Sequence, residues 1–290
     1  NGGQIAPPVM GTTAFLIAEF LEVSYGTVVI AAIVPAALYY LVLFLQVDAI
    51  AKKNGLHGIP KEDLPKLFAV MLSGWLFMIP LAVLLYFLFW LGFNPALSAI
   101  YAIAALFILM IIKQRALPTR TEWGSFVFGS GENLLSIILI GGGAGLVIGI
   151  LNSTGLGFQL ALLLSSVGNL LLMLILTALV SIVLGMGMPT LPAYLIIVVI
   201  MGPAFGKMGL ELLVIHMFVL YYAVASSITP PVALASYAAA SIAEGNPITT
   251  SLMAIKLGAA KYLLPFVFVA YPSLLLDAGF TWSEFLWALP

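Results

Sequence analysis

Between Asn133 and Gly206 the chain carries no charged side chain at all. Surface helices of soluble proteins keep a polar stripe opposite their apolar one, so an uncharged stretch of this length has no place on a water-facing fold. Hydrocarbon accepts it, because a crossing of about 30 Å of bilayer core needs about 20 predominantly apolar residues. The rest of the chain agrees: 63% of its residues are apolar and 7% charged, against about 45–50% and about 25% in ordinary soluble domains. The expected fold class is therefore an all-α polytopic membrane protein embedded in the lipid bilayer.

Apolar runs between polar breaks predict about six spans, near Tyr25–Val47, Leu67–Leu91, Pro95–Ile112, Asn133–Leu151, Met208–Ala243 (interrupted) and Tyr262–Leu276. Two further stretches read as partial crossings. One is Pro8–Leu21; the other is the run from Leu160 to Ala204, broken by GMGMPT at Gly185–Thr190, which reads as a re-entrant hairpin. The resulting division is a first-repeat motif over 1–24, spans with basic loops forming a scaffold over 25–132, a second repeat over 133–276 containing the hairpin 160–204 and the broken helix 208–243, and an external segment over 277–290.

Seven of the ten basic residues, Lys52, Lys53, Lys61, Lys66, Lys113, Arg115 and Arg120, fall in two loops separated by two spans. They lie on one membrane face, which the positive-inside rule makes cytoplasmic. Parity then puts Asn152–Gly157 and Lys207 outside, Lys256 and Lys261 inside, and Glu19 and Glu22 outside. The formal net charge of −1 gives no reason to expect nucleic acid as a partner. With no cysteine there is neither a thiolate metal site nor a cysteine nucleophile. The chain opens on Asn1 without a basic, apolar and small-residue leader pattern, which predicts a piece of a longer polypeptide.

The polar chemistry concentrates at two proline pairs. Gly3-Gln4-Ile5-Ala6-Pro7-Pro8-Val9 resembles Ser227-Ile228-Thr229-Pro230-Pro231-Val232, and a helix of small residues follows each, MGTTAFLIA after the first and ALASYAAAS after the second. By the charge parity the first of these helices ends outside and the second inside, so the two form an inverted repeat. Each pair removes backbone donors and disfavours helical angles before it, so the helix breaks. Broken backbone at membrane depth persists only where protein, water or a bound ion covers the freed groups. A proline at the first position of the following helix, capped by Ser227 or Thr229, points a positive helix end into the break.

GMGMPT supplies the complementary half, with the conformational freedom of Gly185 and Gly187, the interruption at Pro189 and the Thr190 hydroxyl. Carbonyl and hydroxyl oxygens without the carboxylates a divalent ion prefers suit a hard monovalent cation, and sodium is the natural candidate. No transition-metal set or other cofactor is expected.

The phrases NGGQIAPPVMGTTAF, GMGMPTLPAYLIIVVIMGPA and SSITPPVALASYAAASIAEGNP resemble the large membrane subunit (M domain) of TRAP transporters over most of the chain. GGQIAPPVMGTTAFLIAEFLEVSY is most similar to the TAXI type, in which small and large membrane parts are fused. The resemblance implies sodium-driven import of an organic acid in the bacterial or archaeal cytoplasmic membrane by an ion-transporter-like elevator movement. It implies as partners a periplasmic solute-binding protein and the small membrane subunit or its fused equivalent. It also implies two clamshells holding sodium. In the second, Gly185, Gly187, Met188 and Thr190 face Ser226, Ser227, Ile228 and Thr229. The first is represented by Asn1, Gly2, Gly3, Gln4 and the Pro7-Pro8 break, with its hairpin expected before residue 1, so that these residues alone are not expected to transport. Substrate-contacting side chains are not singled out.

Other features have plainer readings. GGGAGLVIG at Gly141–Gly149 lies in an apolar run without a P-loop lysine, so close helix packing outweighs phosphate binding. His216 stands alone between Glu211 and Glu244 and reads as a neutral, hydrogen-bonded side chain rather than a proton relay. His57 lacks metal-spaced partners and reads as solvated, while Lys52, Lys53, Lys61 and Lys66, alternating with Asp48, Glu62 and Asp63, read as an interfacial loop that holds topology rather than a dock for a cytoplasmic partner. Trp75, Trp90, Trp123, Trp282 and Trp287 read as interfacial anchors. An intramembrane enzyme needs paired carboxylates, a Ser/His pair or a metal set. Asp277 and Glu284, about two helical turns apart, are isolated from one another and read as interfacial. A transporter, not an enzyme, is the expectation, with a sodium/dicarboxylate symporter that needs no binding protein as the alternative.

Overall fold

The computed structural model describes residues 1–56, 58–60, 64–114, 118–155, 159, 162, 168–207 and 209–276. The features read at His57, Lys61, Glu62, Asp63, Arg115, Gly157, Met208, Asp277, Trp282, Glu284 and Trp287, much of 160–167, and the segment 277–290 lie outside the described residues.

Among the described residues every regular element is helical. The helices are α1 (Thr12–Leu21), α2 (Tyr25–Lys53), α3 (Leu67–Leu85) continued by a π turn (Tyr86–Trp90), α4 (Pro95–Gln114), α5 (Arg120–Thr154), α6 (Leu170–Gly185), α7 (Thr190–Lys207), α8 (Leu212–Ser226), α9 (Leu234–Ile242), α10 (Pro247–Leu257) and α11 (Ala259–Ala270). Tyr25–Lys53, Pro95–Lys113 and Pro247–Ala270 are long and apolar enough to cross a membrane. The other apolar helices are shorter, among them Thr12–Leu21, Leu170–Gly185 and Leu212–Ser226.

Local chemistry accounts for most boundaries. α5 begins where Thr119 and Glu122 form a capping box: the Thr119 amide donates to Glu122 Oε2 at 2.7 Å, and the Glu122 amide donates to Thr119 Oγ1 at 3.3 Å. Asn169 caps α6 by accepting from the Leu172 amide, and Asn246 caps α10 by accepting from the Ile248 and Thr249 amides. The predicted last span, Tyr262–Leu276, differs at both ends. α11 already starts at Ala259, with only Gly258 between it and α10, and stops at Ala270, because Tyr271 precedes Pro272 and leaves the helical region (φ −131, ψ 79).

The chain forms two compact units. The first comprises Asn1–Val23, Thr27–Ala49 and Ile140–Pro290. Its centre is α8, where Leu213, Val214, Ile215 and every residue from Met217 to Ser226 are buried. A helix apolar all round is suited to being packed on every side, and α1, α6, α7 and α11 all pack on α8. α6 turns one stripe inward, Met173, Leu174, Thr177, Ala178, Ser181 and Gly185. Lipid tails are as apolar as leucine, so close packing and hydrogen bonds, rather than removal of surface from water, hold such a cluster together.

The second unit comprises Ser24–Gly26 and Ile50–Leu139. α3 and α4 pair there, with Phe87 stacked on Tyr101 at 4.3 Å and Tyr25 tilted against Phe89 at 5.9 Å. Outside that aromatic knot many of its apolar side chains are open, although Leu88 is buried. Phe68, Phe77, Trp90 and Phe128 are all strongly exposed.

The glycine run within Gly141–Gly149 does not meet the packing expectation. It lies inside α5, which disposes of a phosphate loop, yet a Cβ added at Gly142, Gly143, Gly145 or Gly149 would meet nothing within 4 Å.

Candidate functional site

The two proline breaks have the same local architecture. In each, two successive amides close i→i−3 bonds immediately before the pair: Gln4 to Asn1 O and Ile5 to Gly2 O in the first, Ser227 to Val224 O and Ile228 to Ala225 O in the second. The residue three before the first proline then accepts across the break, Gln4 O from the Gly11 amide at 3.0 Å and Ser227 O from the Ala235 amide at 2.9 Å. Pro7-Pro8 and Pro230-Pro231 are both cis. Ile5 and Ile228 are buried at corresponding positions. Each following short helix, α1 and α9, ends with a glutamate in the left-handed region, Glu22 (φ 53) and Glu244 (φ 52). In both, the next amide closes the terminus: Val23 to Ala18 O at 3.0 Å and Gly245 to Ala240 O at 2.9 Å, the longer bond of a Schellman motif.

The expected caps are different in one respect. α1 and α9 start at Thr12 and Leu234, a few residues beyond the proline pairs, and neither Gly11 nor Ala233 offers a side-chain cap. Ser227 and Thr229 turn back instead. Ser226, Ser227 and Thr229 donate their hydroxyls to Ala223 O, Val224 O and Ala225 O, each at 2.8 Å. The carbonyls orphaned where α8 stops are thereby satisfied by the side chains just past them, which is what buried backbone at a helix end requires.

GMGMPT forms the turn between α6 and α7. Gly187 sits at φ +77, a conformation that disfavours a side chain, and Met188 N closes the turn on Gly185 O at 3.3 Å. Gly185, the last residue of α6, lies directly against Ser226, the last residue of α8: a Cβ there would stand 2.5 Å from Ser226 Oγ. The carbonyl ends of two helices, each carrying partial negative charge, therefore meet at one point. Gly187 faces Val232 beyond the second break, where an added Cβ would stand 3.4 Å from Val232 Cγ1.

The opening residues join this same place. Thr190 Oγ1, at the start of α7, donates to Gln4 Oε1 at 2.6 Å. Asn1 Nδ2 donates to Val224 O at 2.8 Å and also to Ser227 Oγ. A Cβ on Gly2 would stand 2.6 Å from the Tyr40 hydroxyl, whereas Gly3 is open. Of the residues singled out in the sequence, Asn1 thus reaches the second break, Gly185 meets Ser226, and Thr190 bonds Gln4. Ile228 is buried and lies close to Gly258, where a Cβ would stand 2.8 Å from Ile228 Cδ1. Met188 is half-buried in the turn.

α11 supplies groups that the sequence reading did not include. Thr229 Oγ1 shares a hydrogen bond with the Tyr262 hydroxyl at 2.7 Å, and the Tyr222 hydroxyl donates to Tyr262 O at 2.6 Å. Lys261, counted by parity among the basic residues of the inner face, is wholly buried, the one charged side chain in the buried set among the described residues. Its Nζ donates to Asn1 Oδ1 and lies 4.7 Å over the Tyr39 ring. The available signal was its setting, a single lysine entering the apolar run from Tyr262 to Ala270. His216 has the hydrogen-bonded environment expected of it, its Nδ1 2.5 Å from the Tyr194 hydroxyl.

Apolar helices, some of them discontinuous and stopping at buried polar contacts, define the class: a helical multi-pass membrane protein. A family model described as Tripartite ATP-independent periplasmic transporter, DctM component, matches residues 1–283, and the chain belongs to that family, as a membrane component of a TRAP transporter. No curated protein matches the chain significantly.

Proposed function

We propose that the chain is the solute-carrying part of a sodium-coupled TRAP permease of the TAXI type, importing an organic acid across a bacterial or archaeal cytoplasmic membrane. One observation carries this reading: three separate segments, Asn1–Gln4, Gly185–Thr190 and Ser226–Thr229, meet where the carbonyl ends of α6 and α8 abut. The donor set there is oxygen throughout, from backbone carbonyls and the hydroxyls of Ser226, Ser227, Thr229 and Thr190, and suits sodium. Bound there, sodium supplies the driving force for uptake. The chain's own groups do the rest: Gly185 allows the two helix ends to approach, and the hydroxyls hold the break open as a defined shape.

The matched hydrogen bonding of the two breaks supports a structural repeat, and the charge parity supports its inversion. An inverted repeat is the usual basis of alternating access, by rigid movement of one bundle against a fixed one. The densely packed unit around α8 is the moving, elevator-like bundle in this reading, and the unit containing α3 and α4 is the scaffold. A periplasmic binding protein delivers the acid, and the small membrane subunit, or its fused equivalent, completes the complex.

The test is uptake by the full-length parent protein in proteoliposomes, with its own binding protein and an inward gradient of sodium or of choline. Uptake should require sodium, and Thr190→Ala and Thr229→Ala should each weaken the sodium dependence. Unaltered sodium dependence in both variants would overturn the site, and uptake without the binding protein would favour the simpler symporter. Single cysteines at Gly157 and Asn246 should react with an impermeant thiol reagent from opposite membrane faces.

A further inference from the structure

A buried cation is linked to the carbonyl end of α8 through Asn1. Lys261 is fully buried, on α11, with its ammonium on Asn1 Oδ1 and over the face of Tyr39. Asn1 is the bridge: its amide nitrogen binds Val224 O and Ser227 Oγ, the last turn of α8 and the first residue of the break. Amide oxygen and aromatic face both favour positive charge at the ammonium, and the carbonyl end of α8 lies on the far side of the Asn1 amide. Among the described residues no carboxylate forms an ion pair with Lys261, and its ammonium meets the Asn1 side chain and the Tyr39 ring. A charge in that position, in a protein that spans a bilayer, is expensive unless it has a task. The remaining basic residues of described exposure, Lys52, Lys53, Lys66, Lys113, Arg120 and Lys256, are all exposed.

We infer that the Lys261 ammonium is a tethered cation, standing on the Asn1 side of the junction where a free monovalent ion would otherwise be drawn. This rests on the sodium reading above and deepens it. The half of the junction built from Asn1 and the end of α8 is served by the protein's own charge, and only the half built from Gly185–Thr190 and Ser226–Thr229 takes up sodium. Removing the ammonium while keeping its cavity and the Asn1 oxygen should create a sodium site that the parent protein lacks.

The experiment compares thermal unfolding of the purified full-length parent and its Lys261→Gln, Lys261→Met and Lys261→Arg variants across a sodium chloride series, with choline chloride holding ionic strength constant. The Gln and Met variants should gain a sodium-dependent rise in melting temperature about 3 °C beyond that of the parent, with a steeper sodium dependence. The Arg variant, which keeps the charge, should follow the parent. Sodium curves that superimpose on the parent's in the Gln and Met variants would overturn the inference. So would failure of both to fold even in high sodium, because the ion then cannot take the ammonium's place. A parent indifferent to sodium beside variants that respond would retain the tethered cation and refute sodium coupling of the natural protein; indifference in all four would refute both.

Discussion

α8 and α3 are both short, uncharged and apolar, yet they have opposite surroundings. From Met217 to Ser226 every residue of α8 is buried, whereas α3 leaves Leu67, Phe68, Met71, Trp75, Phe77 and Met78 open. In water such a contrast would follow from hydropathy. In a bilayer it cannot, because lipid and protein interior are equally apolar and only packing and polar contacts distinguish them. α8 is surrounded because it carries the break: its last carbonyls have to be met by Ser226, Ser227, Thr229 and Asn1, and α1, α6, α7 and α11 provide the covering protein. α3 contains Pro80 but stays helical through it, so it makes no comparable demand and its face is free for lipid or for a partner subunit.

Paired substitutions test this contrast, and the largest effect is expected in the packed bundle. Phe218→Ala should cost about 3–5 kcal/mol in reversible unfolding in detergent, while Phe128→Ala, on an exposed face of α5, should stay within about 0.5 kcal/mol. Equal losses would mean that the open unit is as tightly packed as α8.

Next in size is a glycine pair. Gly185→Ala forces a methyl against Ser226 and should cost about 2 kcal/mol. Gly129→Ala meets nothing within 4 Å and should stabilise α5 by up to about 1 kcal/mol, since alanine favours the helix. A neutral Gly185→Ala, measured the same way, would show that the two helix ends are not in contact.

A smaller loss is expected from Thr190→Val, which keeps the shape and deletes the hydrogen bond to Gln4, at about 1 kcal/mol. The matching double variant with Gln4→Leu should be less than additive, and full additivity would separate the opening segment from the start of α7.

The smallest effect belongs to the exposed capping box of the other unit, in the polar first turn of α5. The Thr119 amide, and after it the Thr119 hydroxyl, hold the Glu122 carboxyl below its ordinary range. Its folded value lies below its unfolded one, so the contribution is present above the usual glutamate range and is lost as the pH falls through the folded value. Glu122→Gln should therefore lower stability slightly at neutral pH and level with the parent in acid. A difference that persists unchanged in acid would assign the effect to something other than the carboxylate.

Much of the site was legible in the residues. Two proline pairs with similar flanks predicted two breaks, and the structure gives both the same pattern of closing bonds, with one more residue in the loop of the second (Ser227 to Ala235) than of the first (Gln4 to Gly11), because proline restricts the backbone in the same way wherever it stands. GMGMPT predicted a turn between two apolar helices, and Gly187 at φ +77 is why glycine suits that place. What the residues did not reveal was which groups the breaks would meet. Ser227 and Thr229 serve the helix behind them rather than the one ahead, a choice between two local bonding patterns of similar energy. Gln4 and Thr190 are separated by most of the chain, and no local propensity pairs them.

The sequence by itself determined the solvent, the helical class and the positions of the breaks, because these follow from hydropathy summed over a window and from the covalent restraint of proline and glycine. Only the tertiary structure decided that Asn1, Gln4, Gly185, Thr190 and Ser226–Thr229 share one junction and that Lys261 of α11 bonds Asn1 at its edge. In lipid, burial is set by which helix finds a complementary surface and partners for its unpaired polar groups, and that is a property of the assembled bundle rather than of any one segment.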